Sequence, residues 1–194
     1  RRLIAEKLFP VIGKRAYVMD WLDKTTPHNI RLDLNNQSGN WHLLARFNWK
    51  ENKREVFVIF TDFNLPKLNY WAFSFWDQKI RMIKAGDPIQ IPDIEAHGVA
   101  LIAIREVTKN STYLGSDLHI SMGLELSTWQ EFENGLKFQI SLPRFAKGSI
   151  FLYLPKRPLK VLVDEKIAEW FELPDDVYRI SLEFDKTTSI EIYW

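Results

Sequence analysis

A mainly β protein, built as two antiparallel β-sandwich modules behind a short helix and linker, is the fold class the sequence predicts. Three observations predict it. From Ile30 onward apolar residues recur with a period of two rather than the helical period. The apolar runs are short and are separated by polar or Pro- and Gly-marked segments. The chain is also rich in aromatics, with 8 Trp, 13 Phe and 6 Tyr among 194 residues, side chains that suit a pleated, half-buried surface.

Taken in order, residues 2–9 read as the last turns of a helix, because Leu3, Ile4 and Leu8 share a face and Pro10 blocks continuation. The opening Arg1-Arg2-Leu3-Ile4 lies inside that pattern without an initiator methionine, so it reads as a cut end or as methionine removal. A connector follows. In WHLLARFNW, residues 41–49, Trp41, Leu43, Ala45 and Phe47 alternate with His42, Leu44, Arg46 and Asn48, which predicts a half-buried antiparallel strand. KENKRE, 50–55, is a solvated turn before VFVIF at 56–60. Strands are expected at 70–76, 79–83, 89–91 and 99–105, punctuated by Pro66, Gly86, Pro88 and Pro92.

The polar TKNST, 108–112, divides the chain. Strands then restart at 117–121, 123–130, 136–142, 149–154, 158–163, 177–183 and 187–193. Only DEKIAEWFEL, 164–173, has helical spacing, with Ile167, Trp170 and Phe171 on one side, and it is expected as a short amphipathic helix. The expected organisation is a helix end and linker over 1–29, a first β-sandwich module over 30–108 and a second over 109–194.

Composition removes several functional classes. Lysine and arginine number 26 against 25 aspartates and glutamates, a formal net charge of +1, so no global field gathers nucleic acid or an anionic membrane. Cysteine is absent, which excludes disulfides, thiolate nucleophiles and cysteine-based zinc sites. No apolar run approaches the about 18 residues a spanning helix needs, no signal peptide is visible, and the compartment expected is the cytoplasm. The four histidines, His28, His42, His97 and His119, lack metal-ligand spacing; Asp117 and His119 would merely share a strand face. With no GxSxG, Walker or GxGxxG motif, no cofactor and no metal are expected.

Catalytic chemistry on sugars would need two carboxyl groups flanking a cleft. Asp62, Asp77, Asp93 and Glu95 are the candidates, and each has a plain role as a turn or strand-end residue. His97, between an acidic patch and the run Val99 to Ile104, reads as the bend into a strand, with Gly98 relaxing the backbone. The catalytic set is therefore expected to be empty. Exposed aromatics can stack on the apolar face of a pyranose, so Tyr70, Trp71, Trp76 and Trp129 are the carbohydrate-binding candidates; Trp71, Phe73 and Phe75 share one face of their strand and Tyr70, Ala72, Ser74 and Trp76 the other.

The order of segments carries a resemblance. Phe47-Asn48-Trp49, then Phe73-Ser74-Phe75-Trp76-Asp77, then Ala96-His97-Gly98-Val99 resemble the strand motifs of the β-sandwich that follows the catalytic barrel in α-galactosidase (melibiase-like, family 36-like) glycoside hydrolases. The resemblance spans about residues 7–107, and TYLGSDLHISMGLELSTWQ, 112–130, looks like the opening of a second C-terminal β-module. In that family the catalytic carboxylates sit on a barrel of roughly 200 residues or more, so none of them is carried onto a position here. The resemblance implies a non-catalytic C-terminal part of such a hydrolase, packing against and stabilising its own catalytic barrel, with an oligosaccharide or a second copy of the chain as further partners. Two alternatives stand beside it: an independent carbohydrate-binding module and a structural adaptor.

Overall fold

In a computed structural model the structure describes residues 14–22 and 26–194; the helix expected over 2–9 lies outside them. The described chain is strands and turns, with one single-turn 3-10 helix. It divides into two compact units: of the described residues, one holds 14–22, 26–34 and 40–107, the other 35–39 and 108–194.

In the first unit, β1 (Ala16–Val18), β2 (Asn29–Asn36), β3 (Gly39–Phe47), β8 (Val99–Glu106), β5 (Tyr70–Ser74) and β6 (Ile80–Ile83) form one sheet in that spatial order. β4 (Arg54–Val58) and β7 (Ile89–Ile94) form a separate two-stranded sheet. Alternation decides which side chains meet. Leu44, Ala72, Ile102 and Ile104 on one face pack with Val56, Val58, Ile89 and Ile91 of the small sheet, and Phe60 and Phe63 of the 3-10 turn Phe60–Phe63 close that core. The other face is buried too, along Trp41, Leu43, Trp71, Phe73 and Ala103, with the Arg105 guanidinium 4.3 Å from the Trp41 ring centre. β5 is therefore an interior strand covered on both faces, and β3, expected half-buried, buries Trp41 and Leu43 on one face and Leu44 on the other while His42, Ala45, Arg46 and Phe47 stay partly exposed.

The turn after β4 ends at Asn64, whose left-handed φ of 50° suits its short polar side chain. Arg31 donates to the carbonyls of Phe63 and Asn64 at 2.7 and 2.8 Å, and its Nε lies 2.9 Å from Asp33, whose other neighbour is His42 Nδ1 at 2.7 Å. Partial burial raises the Asp33 pKa, but the hydrogen bonds from His42 and Arg31 outweigh it and hold the carboxyl below its usual value. A depressed folded-state pKa adds stability that is present above the unfolded value, about 3.9, and is lost as pH falls through the folded one. Asp33→Asn is expected to flatten the acid limb of the thermal midpoint below about pH 4; parallel curves for wild type and variant would refute the pairing.

The second unit is organised by two long strands, β11 (Gly135–Tyr153) and β15 (Val177–Tyr193), paired antiparallel along their length. The register shifts between Ser141 and Phe145, where Pro143 has no N–H to give to the ladder. On one side of this bulge β10 (Leu126–Phe132) and β12 (Lys160–Val163) pair with the spine; on the other, β9 (Thr112–Ser116) and β14 (Trp170–Leu173) do. Side chains from both halves, such as Phe138 and Ile140 with Ile150 and Leu152, share one core, so the bent sheet packs on itself. The expected breaks between 142 and 149 and between 183 and 187 are bends within continuous strands.

Two local expectations are corrected. Residues 164–173 are no helix: β12 turns into β13 (Lys166–Ile167) and then β14. Asp164 and Glu165, at φ 48° and 65°, form the two-residue turn between Val163 and Lys166, with the positive φ angles a tight hairpin requires. In this extended segment Trp170 packs toward the core and edge-on against Tyr178 at 5.5 Å, while Phe171 is exposed beneath the Arg179 guanidinium. Residues 117–121 are likewise no strand; β9 lies just before them, and 117–125 is a turn-rich segment held by side-chain hydrogen bonds.

Candidate functional site

The four aromatic candidates do not form one platform. Tyr70 is 3% exposed and donates its hydroxyl to Pro66 O at 3.0 Å. Trp71 is 1% exposed on the opposite face of β5. Neither offers a ring face to a sugar; β5 lies between β6 and β8 with both its faces covered. Trp129 is half-buried against Phe138 and Tyr113. Trp76 is 49% exposed and sits edge-on to Phe75.

The candidate acids are dispersed. Asp93 and Glu95 both meet Lys53, at 3.4 and 3.2 Å, and Asp77 meets Lys79 at 3.5 Å. His97 is exposed, 3.2 Å from Glu51, with φ 54°. It is thus His97, not Gly98, that takes the left-handed conformation at the bend. Gly98 is needed for a different reason: a Cβ there would come within 2.9 Å of Glu95 O. Asp117 accepts from Ser149 N at 2.7 Å, and His119 is bonded to Ser121. Among the described residues no group of three or more His, Asp or Glu could hold a metal ion.

Two of the three motifs behind the family resemblance meet, as a clamp. Asn48 is buried at the end of β3. Its backbone N–H donates to Gly98 O at 2.9 Å. Its side-chain amide donates to Asn52 O, Ile94 O and Glu95 O at 2.9, 3.0 and 3.1 Å, and its Oδ1 accepts from Lys50 N. Phe47-Asn48-Trp49 and Ala96-His97-Gly98 are thus two sides of one hydrogen-bonded joint.

A second buried constellation lies in the other unit. Glu125, 2% exposed, accepts from the hydroxyls of Tyr113 (2.8 Å) and Ser116 with Oε1, and from Gly123 N (2.8 Å) and Ser121 Oγ (3.3 Å) with Oε2. Ser121 in turn meets His119 Nδ1 at 2.7 Å and accepts from Leu124 N. Serine, histidine and glutamate stand together, yet each is spent on local bonds and all are buried, so the cluster ties 113–125 together.

One polar cleft in the first unit, of about 530 Å³, is lined by Met19, Asp20, His28, Asn29, Arg46, Lys50, Arg54, Thr61 and Asp62. β3 supplies Arg46 on the same face as Leu44, the start of β4 supplies Arg54, and the 3-10 turn supplies Asp62. Asp20 is occupied, accepting from the backbone of His28 and Asn29. Arg46 donates to Asn29 Oδ1 at 2.6 Å. Burial holds its guanidinium below the usual value and Arg54 adds to that, against the opposing carboxylates of Asp62 and Asp20. Reading along the chain missed this cleft; its one local signal is Arg46, a charge on the core-facing side of an apolar strand.

No protein-family model and no curated protein matches the chain. Among solved structures it is similar to a β-porphyranase of glycoside hydrolase family 86 from the human gut bacterium Bacteroides plebeius, at 12% identity and a TM-score of 0.22. The match covers 88% of this chain and 34% of that one, so this chain spans about a third of that protein's length. A likeness at that level carries no argument about activity. What stands on the chain's own structure is the class: mainly β, in antiparallel sheets, with no barrel among the described residues.

Proposed function

We propose that this chain is a non-catalytic β region of a glycoside hydrolase resembling the α-galactosidase group, serving to stabilise a separate catalytic barrel. The observation that supports it best is the fate of the acids. A glycosidase needs two carboxyl groups facing one space, and here Asp93 and Glu95 share one lysine on the surface while Asp77 pairs with another. Asp62 does face the cleft, but its carboxylate neighbour there, Asp20, is committed to backbone amides. Two of the three motifs of the resemblance also act as joinery around Asn48, which suits a scaffold.

The test is a turnover assay on the chain with an aryl α-galactoside. No hydrolysis above the uncatalysed rate is expected, and mixing with the barrel of such a hydrolase is expected to raise the barrel's thermal midpoint. Turnover that co-purifies with the chain and disappears in Asp62→Asn or Glu95→Gln would overturn the reading.

A further inference from the structure

The cleft of the first unit has an unbalanced charge. Arg46, Lys50 and Arg54 line it against Asp20 and Asp62, and Asp20 is already satisfied by the backbone N–H groups of His28 and Asn29. Lys50, Arg54 and Asp62 form no side-chain hydrogen bond or ion pair among the described residues. Arg46 and Arg54 repel one another, and an anion between them would relieve that repulsion while drawing on guanidinium N–H groups that suit a carboxylate.

A cavity of this size is in the range for small ligands. An anion-holding side and a carboxylate that can accept hydrogen bonds from hydroxyls are complementary to a molecule that carries a carboxylate beside hydroxyl groups.

We propose that the cleft binds a sugar acid, with its carboxylate toward Arg46, Lys50 and Arg54 and a ring hydroxyl donating to Asp62. The choice of a galactose-type ring rests on the function proposed above; the preference for an acid rests on the cleft alone.

Calorimetric titration of the chain at low ionic strength with D-galacturonate, D-galactose and acetate tests this. Galacturonate is expected to bind at least about ten-fold more tightly than either of the others, and Arg54→Ala to weaken it by about ten-fold or more with an unchanged thermal midpoint. Galactose bound as tightly as galacturonate would overturn the acid preference and leave a neutral-sugar site. Acetate bound as tightly would reduce the cleft to a general anion site. No binding of any probe, or unweakened binding by Arg54→Ala, would overturn the proposal outright. None of these outcomes bears on the turnover assay, which reads catalysis and not this cleft.

Discussion

Replacing Glu125 with alanine is expected to destabilise the unit that contains it by about 3–4 kcal/mol, because buried donors left without an acceptor cost roughly 1–3 kcal/mol each. The carboxylate is the common acceptor for Tyr113, Ser116, Ser121 and the Gly123 amide. The hydroxyls can rotate in search of other acceptors; the amide cannot. For a unit of this size the cost corresponds to a fall in thermal midpoint on the order of 15 °C. Glu125→Gln keeps the volume and one acceptor oxygen but sets an NH₂ group against either the hydroxyl pair or the Gly123 N–H, so it should fall between wild type and alanine. Hydrogen exchange adds a local check, with the Gly123 and Leu124 amides expected to lose protection first. An alanine variant within about 1 kcal/mol of wild type would mean that the network is dispensable.

The joint at Asn48 yields a prediction in which chemistry overrides shape. Asn48→Ala removes the donors to three backbone carbonyls and the acceptor for Lys50 N, for an expected loss of about 2–3 kcal/mol. Aspartate is nearly the same shape as asparagine, yet it should be worse than alanine. It would turn an acceptor oxygen toward Asn52 O, Ile94 O and Glu95 O and bury a charge with no cation bonded to it. The expected order of thermal midpoints is wild type, then Asn48→Ala, then Asn48→Asp, with the gap between the variants narrowing at low pH as the aspartate protonates. An aspartate variant as stable as wild type would show that the side-chain amide is not the element that joins β3 to the bend at His97.

Much of the strand content was legible because alternation is a local property. β3, β5 and β8 lie close to where the period of two placed them, and Leu44 opposes Leu43 and Ala45 as the pattern requires. Alternation assigns residues to faces without saying whether a face is covered. Tyr70 and Trp71 do face opposite sides of β5, as alternation requires, but both sides are covered. The spacing of Ile167, Trp170 and Phe171 mimicked a helix, and the hairpin turn there uses Asp-Glu rather than the Asn-Gly or Asp-Gly that would have announced it. The continuity of β11 and β15 was hidden for another reason: each strand's partner is remote in sequence, so pairing carries it through a local interruption such as Pro143. The cleft was least legible of all, since its lining comes from four separated stretches between Met19 and Asp62 and no short motif links them.

The shared strands of the second unit set limits on how it can be altered. A β domain is grafted by cutting at exposed loops, and the two halves of this unit are not joined by a loop alone. A line drawn between them passes through β11 near Pro143 and through β15 near Lys186. Neither layer can be transplanted without leaving the other with severed strands and an open edge. The strand set 112–193 is therefore indivisible, and because 35–39 belongs to the same unit and bonds to Gly123 and Trp129, a single junction after Val107 would still cut the unit.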